Sequence, residues 1–240
     1  MMTLALDTSS KTVGIALLDG EEILAETFFN LNVNSSLLLL PAIEDMFRIT
    51  NVSAEHIDLW ACTVGPGSFT GLRIGVGTVK GLALATGRPV VGVSTLEALA
   101  FNGVDAGMMI CPMMDAQKNQ IYTALYFPGS GYSLKRIGDE RSTDLQTFLV
   151  SIDENVLFIG DGALKHRDRI SEFLPSQSCF AAPHLHAVRA SSVGLLGLKY
   201  HERGETLDLL TFTPRYLRLS EAELKLAQQN IQAGPESENG

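Results

Sequence analysis

Apolar and polar positions alternate with two periods along this chain. Thr3 to Thr8 is a short apolar run that ends in the small hydroxyl residues Thr8, Ser9 and Ser10, and it predicts a first strand. Lys11 marks a turn, Thr12 to Leu18 a second strand, Asp19-Gly20 a hairpin and Glu22 to Phe29 a third strand. The period then lengthens. Leu39, Ala42, Ile43 and Met46 recur at helical spacing, and Leu40 and Phe47 widen the stripe. Ser35 or Ser36 is the expected N-cap, and Pro41 must fall in the first turn or kink the helix. Leu59 to Val64 is a continuous apolar run and predicts a buried strand. Gly65-Pro66-Gly67 breaks it sharply, and a helix capped by Ser68 or Thr70 runs on to about Thr86. Gly87-Arg88-Pro89 stops that helix. Pro89 to Val93 is a short strand, and Ser94 with Glu97 forms a capping box for a helix to about Phe101.

The second half repeats the alternation. Asn102 to Gly107 is a hinge. Met108 to Met113, Asn119 to Phe127 and Ser133 to Ile137 predict strands, Asp144 to Val150 a helix and Val156 to Ile159 a strand. Gly160-Asp161-Gly162-Ala163 opens a further strand–loop–helix unit, either a second anion loop or a plain turn. Ala190 to Arg203 predicts a helix burying Leu195, Leu198 and Tyr200. From Gln228 the chain is polar and aperiodic, the composition of a disordered tail. The order βββαβαβα followed by a similar half predicts two α/β lobes: 1–102, 103–219 with its last helix free to pack back, and a polar tail at 220–240.

The segment after Val64 is the chemically suggestive one. A strand, a glycine-rich loop and a helix N-terminus in that order can hold an anion, because bare N–H groups and the helix dipole face it. The same glycines also suit a tight turn on steric grounds alone. The helix that follows carries Gly71, Gly75, Gly77 and Gly81, each costing about 0.5–1 kcal/mol relative to Ala. Close approach to another element is the expected offset. Leu72, Val76, Val79 and Ala83 form one apolar row, and Ile74, Gly77, Gly81 and Leu84 form another. A helix apolar nearly all round is covered on more than one side. Its own sheet supplies one cover; a neighbouring helix or a second chain supplies the other.

Composition narrows the function. The 240 residues carry 18 Lys and Arg against 27 Asp and Glu, a net charge of −9. No basic stripe is present, so nucleic-acid phosphates would be gripped by some partner. No apolar run reaches the ~18 residues of a membrane span, and the N-terminus lacks the pattern of a secretory signal. Cys62, Cys111 and Cys179 are widely spaced, without a CxxC pair, and are expected as reduced thiols of a cytoplasmic protein. His184 and His186 are a lone pair in a Pro- and Ala-containing loop. Neither HExxH nor HxxxH occurs, so no metal site is expected.

Gly65-Pro66-Gly67-Ser68-Phe69-Thr70-Gly71-Leu72-Arg73-Ile74-Gly75, preceded by Leu4-Ala5-Leu6-Asp7-Thr8-Ser9-Ser10, resembles the bacterial TsaB (YeaZ) family. The likeness continues through Gly92 to Ala100, Met114-Asp115-Ala116, Gly160 to Ala163 and Pro214-Arg215-Tyr216-Leu217-Arg218. The resemblance implies an α/β, two-lobed actin-like ATPase (ASKHA, ribonuclease H-like) fold, each lobe a mixed sheet with helices. It implies a glycoprotease-like, non-catalytic subunit of the complex that forms N6-threonylcarbamoyladenosine beside the anticodon of tRNA. Its partners would be a TsaD-type catalytic subunit and a TsaE-type ATPase. It would pair with itself when alone and meet tRNA only through the complex. No cofactor would be required, with weak ATP or ADP binding at the complex.

The resemblance also distributes roles. Leu39, Ile43, Met46, Phe47, Gly71, Leu72, Gly75, Val76 and Val79 are the expected partner interface. Asp7, Thr8, Ser9, Gly65, Gly67, Ser68 and Thr70 are the expected remnant of a phosphate site, Asp7 standing where the superfold handles metal-bound water. Family members often carry His where Ser35 stands, and no His precedes His56 here, so the metal site of the catalytic relatives is not expected. The alternative function is an ATP-dependent small-molecule kinase of the same superfold, with Asp115 as its base. A metallopeptidase lacks its ligands.

Overall fold

The protein's structure is a computed structural model that describes residues 1–31 and 34–218. The expected tail at 220–240 lies outside the described residues.

The opening meander forms as the alternation predicts. β1 (Met2–Asp7), β2 (Val13–Asp19) and β3 (Glu22–Phe29) pair antiparallel, and Gly20 takes the left-handed conformation (φ 56°) that the β2–β3 turn needs. α1 (Ser35–Thr50) follows. Its cap is Asn34, whose side chain accepts from Ser36 N–H at 3.2 Å, not Ser35 or Ser36, and Pro41 lies inside the helix. β4 (Leu59–Gly65) inserts parallel to β1, with Leu6 opposite Cys62, so the loop after β4 lands on the β1–β2 turn. α2 (Phe69–Thr86) is capped by Ser68 and ends at Gly87 in the left-handed region (φ 66°). β5 (Val90–Ser94) closes a five-stranded sheet of order β3-β2-β1-β4-β5, and α3 (Thr95–Phe101) is capped by Ser94.

The second sheet has order β10-β9-β6-β7-β8. Its strands are β6 (Met109–Asp115), β7 (Gln120–Gly129), β8 (Ser133–Asp144), β9 (Val156–Ile159) and β10 (Ser178–Phe180). β8 runs well past the expected Ile137. Its outer half is polar and gives no apolar signal, but pairing with β7 carries it to Asp144 after a bulge between Thr123 and Leu125. α4 (Leu145–Leu149), α5 (Asp161–Lys165) and α6 (Arg167–Phe173) belong to this lobe.

α7 (Ala190–Glu202) returns to the first sheet and packs on β1, β2 and β4. It can approach closely because Gly194 sits against Leu18 and Gly197 against Ala61. Val193, Leu196 and Leu198 are buried, whereas Leu195 and Tyr200 are only partly so. The first sheet is therefore covered on both faces, which matches its period-2 division of side chains. Leu4, Leu6, Ile15, Leu17, Trp60 and Cys62 face α1 and α2; Ala5, Ala16, Leu18 and Ala61 face α7. The α7-side core continues through α3 into Ile110, Met114 and Tyr126 of the second sheet, so the lobes share packing at α3. Among the described residues no helix is long and apolar enough to cross a membrane.

Candidate functional site

The cleft between the sheets holds a cavity of about 440 Å³. Ser9, Lys11, Ser68 and Thr70 line one wall; Asp115, Gln117, Tyr122 and Asp161 line the other. Gly67 also reaches it. Asp7, Thr8 and Gly65 do not, contrary to the sequence expectation.

Asp7 is fully buried beneath the turn. Its Oδ1 accepts from Ser9 N (3.1 Å), Ser9 Oγ (2.6 Å) and Thr63 Oγ1 (2.7 Å), while Oδ2 has no partner. Burial raises its pKa from the ordinary value, against the lowering effect of those hydrogen bonds. This carboxylate organises the turn and is sealed from the cleft, so it cannot touch metal-bound water there.

The motif glycines are likewise explained from within the chain. A Cβ on Gly67 would strike the Ser9 carbonyl, one on Gly71 the Thr8 carbonyl, and one on Gly75 the Thr8 hydroxyl. Thr8 Oγ1 donates to the Gly71 carbonyl at 2.7 Å, which locks α2 onto the end of β1. A Cβ on Gly65 (φ 125°) would strike the Arg215 carbonyl. The N–H groups expected to face an anion are partly occupied. That of Ser68 donates to the Ser9 carbonyl at 2.6 Å, and that of Gly71 to Ser68 Oγ at 3.2 Å.

The opposite wall is also self-fastened. Asp161 Oδ1 accepts from Asp115 N (3.2 Å) and Gly162 N (2.9 Å), so the Gly160–Ala163 unit, the cap and first residues of α5, is tied to β6. Burial raises the Asp161 pKa. Asp115 Oδ2 pairs with Lys165 Nζ at 2.7 Å, and Oδ1 accepts from Gln117 N at 3.0 Å. A carboxylate held in that way is poorly placed as a kinase base, and no observation favours the kinase alternative. His186 is buried, with Nε2 on the Ala181 carbonyl (2.9 Å) and Nδ1 on Gly160 N (3.0 Å). No group of three or more His, Cys, Asp or Glu able to hold a metal occurs among the described residues.

The expected partner interface needs a larger correction. Leu39, Ile43, Met46, Gly71, Leu72, Gly75, Val76 and Val79 are buried inside this chain, and Phe47 is half-buried. Their row packs on the first sheet and on the β1–β2 turn. The outward row of α2 is the other one: Gly77, Gly81 and Leu84 are exposed and Ile74 is half-exposed. Nothing lies within 4 Å of a Cβ built on Gly77 or Gly81. On α1, Leu37, Leu40 and Ile49 also face solvent. Periodicity identified both rows of α2; only the three-dimensional packing says which one the sheet takes.

Comparison with known proteins agrees with this architecture. The family model described as TsaD, tRNA N6-adenosine threonylcarbamoyltransferase, matches residues 31–226. The tRNA threonylcarbamoyladenosine biosynthesis protein TsaB of Bacillus subtilis is 34% identical over 94% of this chain and 97% of its own length. TsaB of Escherichia coli is 33% identical over 52% of this chain and 55% of its own length. The structure of YeaZ from Pseudomonas aeruginosa superposes with a TM-score of 0.79 at 27% identity, covering 90% of this chain and 99% of that one. The component A of the Acidaminococcus fermentans (R)-2-hydroxyglutaryl-CoA dehydratase, at 12% identity and a TM-score of 0.52, shares the fold alone. The two lobes are thus an actin-like α/β fold, and the chain belongs to the TsaB (YeaZ) family of tRNA threonylcarbamoyladenosine biosynthesis proteins.

Proposed function

We propose that this chain is a non-catalytic pairing subunit in the formation of N6-threonylcarbamoyladenosine in tRNA. It engages a TsaD-type catalytic subunit in an assembly that includes a TsaE-type ATPase, acts in the cytoplasm, and pairs with itself when alone. It reaches tRNA through the assembly, as its net charge of −9 favours. It needs no cofactor of its own; ATP or ADP binds weakly at the assembly.

One observation carries this reading: the second row of α2 is apolar and side-chain-poor, with Gly77, Gly81 and Leu84 exposed and Ile74 half-exposed beside them. Two exposed glycines four residues apart let another helix backbone approach closely. With Leu37, Leu40 and Ile49 of α1, the ridge can contribute to the roughly 1,200–2,000 Å² that a specific interface buries. The closed β1–β2 turn and the sealed Asp7 support a chain that lends a surface and leaves the chemistry to its partner.

The test is Gly81→Trp, alone and with Gly77→Trp, co-expressed with a TsaD-type subunit. Both sites are open, so the monomer should fold with an unchanged circular dichroism spectrum while co-elution is lost. Co-elution at the wild-type level would sink the proposal. Gly75→Leu is unsuited to this purpose, because its side chain would collide with Thr8 inside the monomer.

A further inference from the structure

The segment 207–218 has no helix and no strand beyond one isolated bridge, yet it touches both walls of the cleft. Leu207 N donates to the Val90 carbonyl at 3.0 Å, and Phe212 is buried in the first-lobe core. Arg215 N donates to the Val64 carbonyl at 2.6 Å, and the Arg215 carbonyl fills the space left by the missing side chain of Gly65. The Tyr216 ring stacks on Phe69 with centroids 3.8 Å apart and planes 3° apart, and its hydroxyl accepts from Arg73 Nε at 3.1 Å. These contacts hold the segment to the loop and first turn of α2.

The same residues reach the second lobe. The Arg215 guanidinium bonds to Glu140 of β8, whose side chain is wholly buried. Glu140 Oε1 also accepts from Ser94 Oγ and from Tyr126 OH (2.9 Å), with Arg136 at 3.6 Å. The Arg215 side chain is itself 51% exposed, so the partner that Glu140 Oε2 depends on lies at the surface. Arg218 donates to the Ala116 carbonyl at 3.0 Å. Ala116 precedes Gln117, Lys118 and Asn119, three consecutive non-glycine residues at φ 62°, 50° and 62°. Such a conformation persists only where surrounding contacts hold it, and the Arg218 bond is one of them.

We infer that the segment 207–218 is a clasp controlling access to the cleft. Fastened, it ties the 64–73 loop to the 115–120 hairpin and to Glu140. Released, it frees both rims, and the cleft opens at its mouth while the shared packing around α3 keeps the lobes together. The clasp is a property of this chain and stands whether or not the proposed pairing does.

Two readouts test it. Hydrogen exchange is followed by mass spectrometry in three chains: one ending after Thr213, the full chain carrying Tyr216→Ala with Arg218→Ala, and one ending after Ser220 as control. Access is followed separately by the labelling rate of Ser10→Cys in a Cys179→Ser background, because Ser10 lies on the cleft wall and Cys62 and Cys111 are buried. The expected result is roughly tenfold faster exchange in 64–73 and 115–122, with unchanged β1, β2 and β9, in the first two chains only. Ser10→Cys labels faster in the same two. The double substitution leaves Arg215 and Glu140 paired, so it reports even if the shortened chain does not fold. Unchanged exchange at both rims overturns the inference. So does a uniform rise across the sheets, which would make the segment a general stabiliser.

Discussion

Substituting the α2 glycines one at a time by alanine should give effects of opposite sign within a single helix. In an unobstructed helix, Gly→Ala stabilises by about 0.5–1 kcal/mol, because alanine loses less backbone freedom on folding. Gly77 and Gly81 are unobstructed, so Gly77→Ala and Gly81→Ala should each gain about that amount. At Gly71 a Cβ would stand 1.9 Å from the Thr8 carbonyl oxygen and 3.2 Å from its carbon. Both atoms are backbone at the end of β1, so the strand and helix must separate. Overpacking of this kind costs about 1–3 kcal/mol. Separation also endangers the Thr8–Gly71 hydrogen bond, worth about 0.5–1.5 kcal/mol net. Gly71→Ala should therefore lose about 1.5–4.5 kcal/mol, less the propensity gain. Gly75→Ala should fall between, because the atom it meets is the Thr8 hydroxyl, which can rotate away if it gives up that bond.

The assay is urea denaturation followed by circular dichroism, with the midpoint and slope fitted for each variant. The expected order of stability is Gly77→Ala and Gly81→Ala above wild type, then Gly75→Ala, then Gly71→Ala. Gly71→Ala at or above wild type would refute the claim that the motif glycines exist for the β1–β2 turn. A destabilising Gly77→Ala would refute the assignment of that row to the outside.

Asp7→Asn tests the sealed carboxylate through pH. Burial raises its folded pKa, so its protonation supports the fold fully below about pH 4, and that support is lost as pH rises through the folded value. Across that window wild-type stability should fall by up to about 1.4 kcal/mol per pH unit relative to the Asn variant, in urea midpoints measured from pH 4 to 8; parallel profiles would contradict this. Thiol titration of the native chain should find one fast cysteine, Cys179, because burial pushes the Cys111 thiol up to about 12 and raises Cys62 as well. Two or three fast thiols would disprove the buried assignments. Glu26→Ala removes the acceptor for Arg189 (2.7 Å), Ser191 N (3.1 Å) and Ser191 Oγ (3.0 Å) at the start of α7, and should cost about 1–3 kcal/mol in the same urea assay.

Local structure was largely legible because its causes are local. Ser68 and Ser94 cap the helices they precede, Gly20 makes its hairpin, and Gly87 stops α2. The outward face of α2 was legible only as one of two rows. An apolar period shows that a row is covered, not which element covers it. Thr8, the residue that selects the inner row, lies 63 positions from Gly71. Glu140 was invisible for a related reason. It stands in the polar run Lys135 to Asp144 and reads as solvated, yet its burial is created by Ser94, Tyr126 and Arg215 from three other segments. Asp7 stands out in the sequence as a phosphate-site candidate, but its burial depends on a loop whose closure only the Ser68–Ser9 contact reveals.

A glycine-rich turn between a strand and a helix invites a phosphate-binding interpretation, and here each glycine has a nearer explanation. Gly65 yields space to the Arg215 carbonyl, Gly67 to Ser9, and Gly71 and Gly75 to Thr8. The contacts form one connected structure: β1 ends at Asp7, Asp7 shapes the turn through Ser9, the Ser9 carbonyl accepts from Ser68, and Thr8 donates to the Gly71 carbonyl. Each of these contacts is made within the chain, and Asp7 Oδ2 alone among their side-chain atoms is left without a partner. A glycine kept for a phosphate would face an open cradle, whereas a Cβ at any of these four would meet this chain's own backbone or hydroxyl. The two glycines that do face open space, Gly77 and Gly81, lie farther along the helix, where a phosphate on the loop could not reach and another helix could. The division of labour within α2 follows: Gly71 and Gly75 fit its first turns to the end of β1, whereas Gly77 and Gly81 leave one face of its later turns open, the face that the proposed pairing would use.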